Sequence, residues 1–201
     1  MIQMVTKAFY KKDLEITNLP WSSKLIKDLE LKTIYDVLDE AIEILNGEYF
    51  NPWLSAGTVL GLYRDDALIP HDTDIDLATL CFKGYDYPQL IKAFKAEGFF
   101  LKRKVTHEGE IMQLAFVKDF VLIDIYFYYS WSDKRFINCT DSGMLYLPKR
   151  FFDGETKFGD YRVPAPVDEY LLYAYGENWR IPETEKGDWV ETCPCLVPYD
   201  V

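Results

Sequence analysis

Two neighbouring stretches decide the reading: Ser55-Ala56-Gly57-Thr58-Val59-Leu60-Gly61-Leu62-Tyr63-Arg64, and then Ile69-Pro70-His71-Asp72-Thr73-Asp74-Ile75-Asp76-Leu77. The second ends in an alternation, Asp74-Ile75-Asp76-Leu77-Ala78, that has the period of a strand. Successive strand side chains point to opposite faces, so Asp74 and Asp76 share one, with Cα atoms about 6.6 Å apart at roughly 3.3 Å per residue. Two carboxylates side by side in an apolar strand repel each other and desolvate badly unless something compensates them. A hard divalent cation does so. Magnesium takes oxygen ligands and is commonly held by one or two carboxylates together with a substrate's phosphates. Asp-x-Asp is weak evidence alone, because surface strands often carry alternating acids; its neighbours add the weight.

A third acid stands in Val121-Leu122-Ile123-Asp124-Ile125-Tyr126-Phe127-Tyr128, where Asp124 is the only charge in an apolar and aromatic strand. If that strand lies beside the first, Asp124 completes a site able to hold two cations about 3.5 to 4 Å apart, the spacing that serves in-line displacement at phosphorus. It could also accept the proton of an attacking hydroxyl. The plainer alternative is a buried acid paired with a lysine or arginine. Upstream, the Gly57-Thr58 turn reads as half of a phosphate site: glycine permits close backbone approach, and the start of a helix offers unpaired N–H groups. Arg64 reads equally as a phosphate contact or as a surface ion pair. His71 reads as a hydrogen-bonded structural residue before a catalyst. Lys102, Arg103 and Lys104 read as a solvated strand edge before a substrate contact.

Outward from the motif, Ile34, Val37, Leu38, Ala41, Ile42 and Leu45 recur at helical spacing, with Asn46-Gly47 as a stop. Trp53 to Gly57 reads as a strand and turn, after which Thr58 caps a brief helix. Residues 87 to 97 read as a helix ending at Gly98. Phe99 to Val105, Ile111 to Val117 and Val121 to Tyr129 read as an antiparallel meander, with Lys118-Asp119 as a tight connection. Past Ser130 the pattern is irregular and aromatic until a short helix begins at Pro166 or Asp168 and closes at Gly176. Most of the aromatics from Tyr126 to Trp131 read as core, with one ring near Asp124 free to stack on a base or sugar. The sum is an α+β, or mixed α/β, class with a small central sheet flanked by helices.

The 201 residues, 49% of them hydrophobic, suit one domain, with a core at about 30–180 and less regular extensions. A net charge of -11 makes nucleic acid a poor partner, since most of the surface would repel a polyanion. No stretch reaches the roughly 18 apolar residues of a membrane span and Met1 to Leu14 lacks the apolar run of a signal peptide, so a soluble, cytoplasmic chain is expected. Cys81, Cys139, Cys193 and Cys195 lack zinc-site spacing and read as free thiols.

Glycine plus a small hydroxyl residue, an Asp-x-Asp strand and a later single Asp together resemble the nucleotidyltransferase superfamily, whose fold is that of the DNA polymerase beta type. The longer match, Gly57 to Arg64 followed by Ile69 to Asp76, is similar to the LicD group within it, which includes the fukutin-related proteins. Val163-Pro164-Ala165-Pro166-Val167, then Tyr170-Leu171 and Tyr175-Gly176-Glu177-Asn178-Trp179, resemble that group's closing motif, so the likeness runs from about residue 30 to 180. The resemblance implies an enzyme that moves a phospho-alcohol, phosphocholine or a polyol phosphate, from a CDP-activated donor to a sugar or other hydroxyl acceptor. It implies Mg2+, or Mn2+ in its place, on Asp74, Asp76 and Asp124, and donor-phosphate contacts at Gly57 and Thr58, with Arg64 and Asp72 in support. His71 and Thr73 depart from the residues usual in the group, which leaves the substrate open. Two rivals remain at this level: nucleotidyl transfer from a CTP-like triphosphate with loss of pyrophosphate, and a silent nucleotide-binding module.

Overall fold

The computed structural model describes residues 12–17, 19, 22–82, 84–139, 143–153, 156–182 and 195–198. Its centre is β6 (Val121–Ser130), which pairs in parallel with β3 (Asp74–Cys81) and antiparallel with β5 (Glu110–Lys118). The sheet continues from β5 to β4 (Phe100–His107) and β1 (Lys12–Ile16). The far end of β6 leads into β7 (Arg135–Cys139), β8 (Gly143–Pro148) and β11 (Leu196–Pro198). A two-residue β2 (Trp53–Leu54) lies antiparallel on β3, and β9 (Thr156–Phe158) with β10 (Tyr161–Val163) forms a separate hairpin. Mixed pairing plus helices is the expected α+β class, with a larger sheet than the meander alone implies: nine strands among the described residues.

One face of this sheet is the main core. Ile75, Leu77, Ile123, Ile125 and Phe127 are buried there, and α1 (Leu31–Gly47) presents Ile34, Val37, Leu38, Ala41 and Leu45 at the spacing read from sequence. From α3 (Tyr87–Ala96), Phe94 stacks on Phe116 of β5 with ring centroids 4.2 Å apart. Each such ring or aliphatic chain taken from water stabilises the fold by about 1.5–3 kcal/mol before entropy is charged. The opposite face carries the acids of β3 and β6. Over it lie α2 (Ala56–Asp65) and α4 (Val167–Tyr175), the latter entered at Pro166 and closed by Gly176 as expected.

Four local expectations change. The strand expected over Trp53 to Gly57 stops at Leu54, because Ala56 turns to φ 41° and the chain enters α2 at once. Ser55, not Thr58, is the N-cap residue, and Thr58 sits inside the first turn. The β5–β6 connection turns at Asp119 and Phe120, both with positive φ, one residue beyond Lys118-Asp119. Finally, Lys102 to Lys104 is not a solvated edge: β1 covers β4, and Lys104 Nζ meets Glu15 at 2.5 Å. Nothing in the polar, weakly alternating Lys12 to Ile16 announces that strand.

Candidate active site

Register brings the acids together. Asp76 and Asp124 are direct partners across the parallel β3–β6 pair, and directly paired residues point to the same face. Asp74, two residues along β3, shares that face. A carboxylate oxygen from each of Asp74, Asp76 and Asp124 lies within 4.8 Å of the others. The lone acid of the aromatic strand therefore meets the pair from the motif, although 47 or more residues separate them along the chain.

Charge in this cluster is poorly compensated. Burial, then the charge of Asp124, pushes the Asp74 carboxyl up to about 6, with a hydrogen bond from Asp72 and the charge of Arg103 pulling the other way. Asp76 is raised well above the carboxylate range by burial and by Asp74, Asp72 and Asp124, against the pull of the Thr58 backbone amide. Carboxylates this crowded, with oxygen donors only, fit a hard divalent cation.

The start of α2 serves this cluster directly. Thr58 Oγ1 accepts the Asp76 backbone amide at 2.8 Å, tying helix to strand, and Thr58 is buried away from open space. Gly57 lies against the acids: a Cβ there would stand 2.7 Å from Asp72 Oδ2 and 3.4 Å from Asp76 Oδ2. Its lack of a side chain is thus required by carboxylates, a constraint the sequence reading assigned to phosphate. Asp72 caps its own turn, with Oδ1 accepting the Thr73 amide at 2.9 Å.

A cavity of about 380 Å3 opens beside the cluster. Gly57, Arg64, His71, Asp72, Asp74 and Asp76 line its polar end, and Leu145, Leu147, Ala174, Trp179 and Ile181 its apolar end. Arg64 borders the cavity, while Nη2 pairs with Asp65 at 2.7 Å and Nη1 donates to the Trp179 carbonyl at 3.4 Å. Thr58 and Asp124 are not on the lining; they sit behind it.

Three residues take places at the site that the sequence reading did not assign to them by number. Tyr126, two positions after Asp124 and so on its face, borders the cavity; burial and the charges of Asp76, Asp124 and Asp74 hold its phenol protonated. That i, i+2 spacing was a usable signal. Tyr170 of α4 was read only as part of a closing motif; its hydroxyl accepts the Ala56 amide at 3.1 Å and shares a 3.2 Å hydrogen bond with Ser55 Oγ, fixing the start of α2. Arg103 meets Asp124 Oδ2 through Nη2 at 2.5 Å, so Asp124 is both a member of the cluster and a paired acid. Cys81 is a free thiol, as expected; Cys193 lies outside the described residues, as does the side chain of Cys139. Among the described residues no helix is long and apolar enough to cross a membrane.

Ribitol-5-phosphate transferase FKTN of Macaca fascicularis and of Homo sapiens are each 33% identical to the chain over 175 residues, covering 83% of it and 37% of each relative. The chain thus spans well under half the length of these relatives. Among solved structures, the lincosamide antibiotic adenylyltransferase LnuA with bound lincomycin is 16% identical, with a TM-score of 0.47 over 74% of this chain and 87% of that one. The model of the LicD/FKTN/FKRP nucleotidyltransferase domain matches residues 50–168, which hold the glycine turn, the Asp-x-Asp strand and Asp124, and the chain belongs to that family.

Proposed function

We propose that this chain transfers a phospho-alcohol group of the polyol-phosphate type from a CDP-activated donor to a hydroxyl of a sugar or similar acceptor, with Mg2+ or Mn2+ held by Asp74, Asp76 and Asp124. The observation that carries the reading is the meeting of those three carboxylates, within 4.8 Å, beside a cavity large enough for much of a nucleotide-linked donor. The FKTN relatives are named for ribitol 5-phosphate, which makes it the first group to try.

Cations bound there would neutralise donor phosphate and the charge that develops during in-line displacement. The rest falls to the chain's own groups. Gly57 lets Asp72 and Asp76 close up against the start of α2 at the polar end of the cavity, with Thr58 behind it. Arg64 adds a cation at the polar end, and Asp72 orders the turn before β3. The apolar walls keep water from competing with the acceptor. In the step itself the acceptor oxygen bonds to the phosphorus that carries the alcohol, the bond from that phosphorus to the bridging oxygen breaks, and CMP leaves with the electron pair. The hydroxyl proton passes to a carboxylate of the cluster.

The test is to incubate the full chain with CDP-ribitol, Mg2+ and a panel of hydroxyl acceptors, and to identify the products by mass spectrometry. CMP and a ribitol-phosphorylated acceptor are expected, and Asp74→Asn or Asp124→Asn should abolish both while leaving the fold intact. Full activity in either variant would overturn the assignment. Pyrophosphate released from CTP, with no reaction of the CDP donor, would favour nucleotidyl transfer.

A further inference from the structure

The cluster has a fourth participant that arrives from two strands away. Register places Asp76, Asp124, Ala115 and Arg103 in one row across β3, β6, β5 and β4. Ala115 is the small residue between the last two charges, and its methyl leaves a path over β5. Arg103 uses that path: Nη2 reaches Asp124 Oδ2 at 2.5 Å, from a side chain 26% exposed to one only 1% exposed. A charge-assisted bond from a planar guanidinium fixes the carboxylate's orientation as well as its charge.

The geometry points to Arg103 as a positioning residue that acts through Asp124: it holds that carboxylate turned toward Asp74 and Asp76, so that the three acids present oxygens to one cation. The inference rests on the cluster's being a cation site, as proposed above. Arg103 plays the part that outer carboxylates and carbonyls play for metal-bound histidines, orienting a ligand it does not replace. Side-chain order is the mechanism, and weakened cation binding is its readout.

The experiment is titration of the full chain with Mn2+ alone, following free ion by electron paramagnetic resonance, for the parent, Arg103→Met, Arg103→Lys, Asp124→Asn and the double variant Arg103→Met/Asp124→Asn. Thermal melts check that each is folded. Arg103→Met is expected to weaken Mn2+ binding about 10- to 100-fold, the usual range for an orienting partner. Arg103→Lys should recover part of it, and in the Asp124→Asn background the methionine should change nothing further. A purely structural arginine would lower the melting temperature and leave affinity alone. Binding by Arg103→Met as tight as the parent's or tighter, or a loss of the same size with Asp124 already replaced, would overturn the inference. If Asp124→Asn itself binds Mn2+ like the parent, the cation-site reading has failed and the role of Arg103 falls with it. Should Arg103→Met not fold, Arg103→Lys and Arg103→Lys/Asp124→Asn carry the same comparison, with a smaller loss expected from lysine in the parent and none in the Asp124→Asn background.

Discussion

Asp74→Asn should stabilise the metal-free protein while it destroys the site. In the fold, burial and the neighbouring acids raise the Asp74 carboxyl from 3.8 to about 6. A raised acid pKa means that the folded state binds its proton more tightly than the unfolded chain does. There is no penalty at low pH, where both states are protonated. As pH climbs from 3.8 the unfolded chain ionises first, so the folded state loses ground until about 6, after which the loss is constant. The distance from 3.8 to about 6, at about 1.4 kcal/mol per pH unit, makes that loss about 3 kcal/mol, an upper value because Asp74 stays partly open to the cavity. Asparagine keeps the shape and cannot ionise. Urea unfolding in EDTA at pH 7.5 should therefore show the variant more stable by up to about 3 kcal/mol, with the gain falling to about 0.5 kcal/mol at pH 4 and vanishing below about pH 3. Saturating Mg2+, at about a hundred times its dissociation constant, should add about 2.7 kcal/mol to the parent and little to the variant. An Asp74→Asn chain less stable than the parent at pH 7.5 in EDTA, or a gain of equal size at pH 4, would refute the reasoning that crowded charge, only partly compensated by Arg103, is stored here.

Two further outcomes follow from the packing of α2. Gly57→Ala must push aside Asp72 Oδ2, which a Cβ would meet at 2.7 Å. Overpacking of about 1–3 kcal/mol is partly offset by the better helix propensity of alanine, about 1 kcal/mol, so a net loss of up to about 2 kcal/mol is expected, while turnover falls on the order of a hundredfold as Asp72 and the turn it orders before β3 are displaced; unchanged turnover would speak against the close packing. Thr58→Val removes the acceptor of the buried Asp76 amide at nearly constant volume and should cost about 1–3 kcal/mol in urea unfolding, whereas Thr58→Ser should cost far less. Equal stability of the valine and serine variants would show that the hydroxyl bond contributes nothing.

How much of this was legible in advance depends on whether the signal was local. The 34–45 helical stripe, the Gly98 and Gly176 stops and the three central strands follow from periodicity and backbone preference, which act over a few residues. Asp74 and Asp76 on one face is a consequence of pleat alone. Asp124 could be singled out because a lone charge in an apolar strand needs a reason. The strands after Ser130 and β1 could not be read, since Arg135–Cys139, Gly143–Pro148 and Lys12–Ile16 lack clean alternation and are strands because neighbours supply their hydrogen bonds.

By itself the chain determined its class of fold, its acids and the turn that precedes them, because each rests on chemistry written in consecutive residues. Only the tertiary structure decided the register that sets Asp124 opposite Asp76, the path over Ala115 that lets Arg103 reach in, and the grip of Tyr170 on α2. Pairing between strands far apart in sequence is chosen by the burial of whole faces, and a shift of one residue would turn the same acids to opposite sides of the sheet.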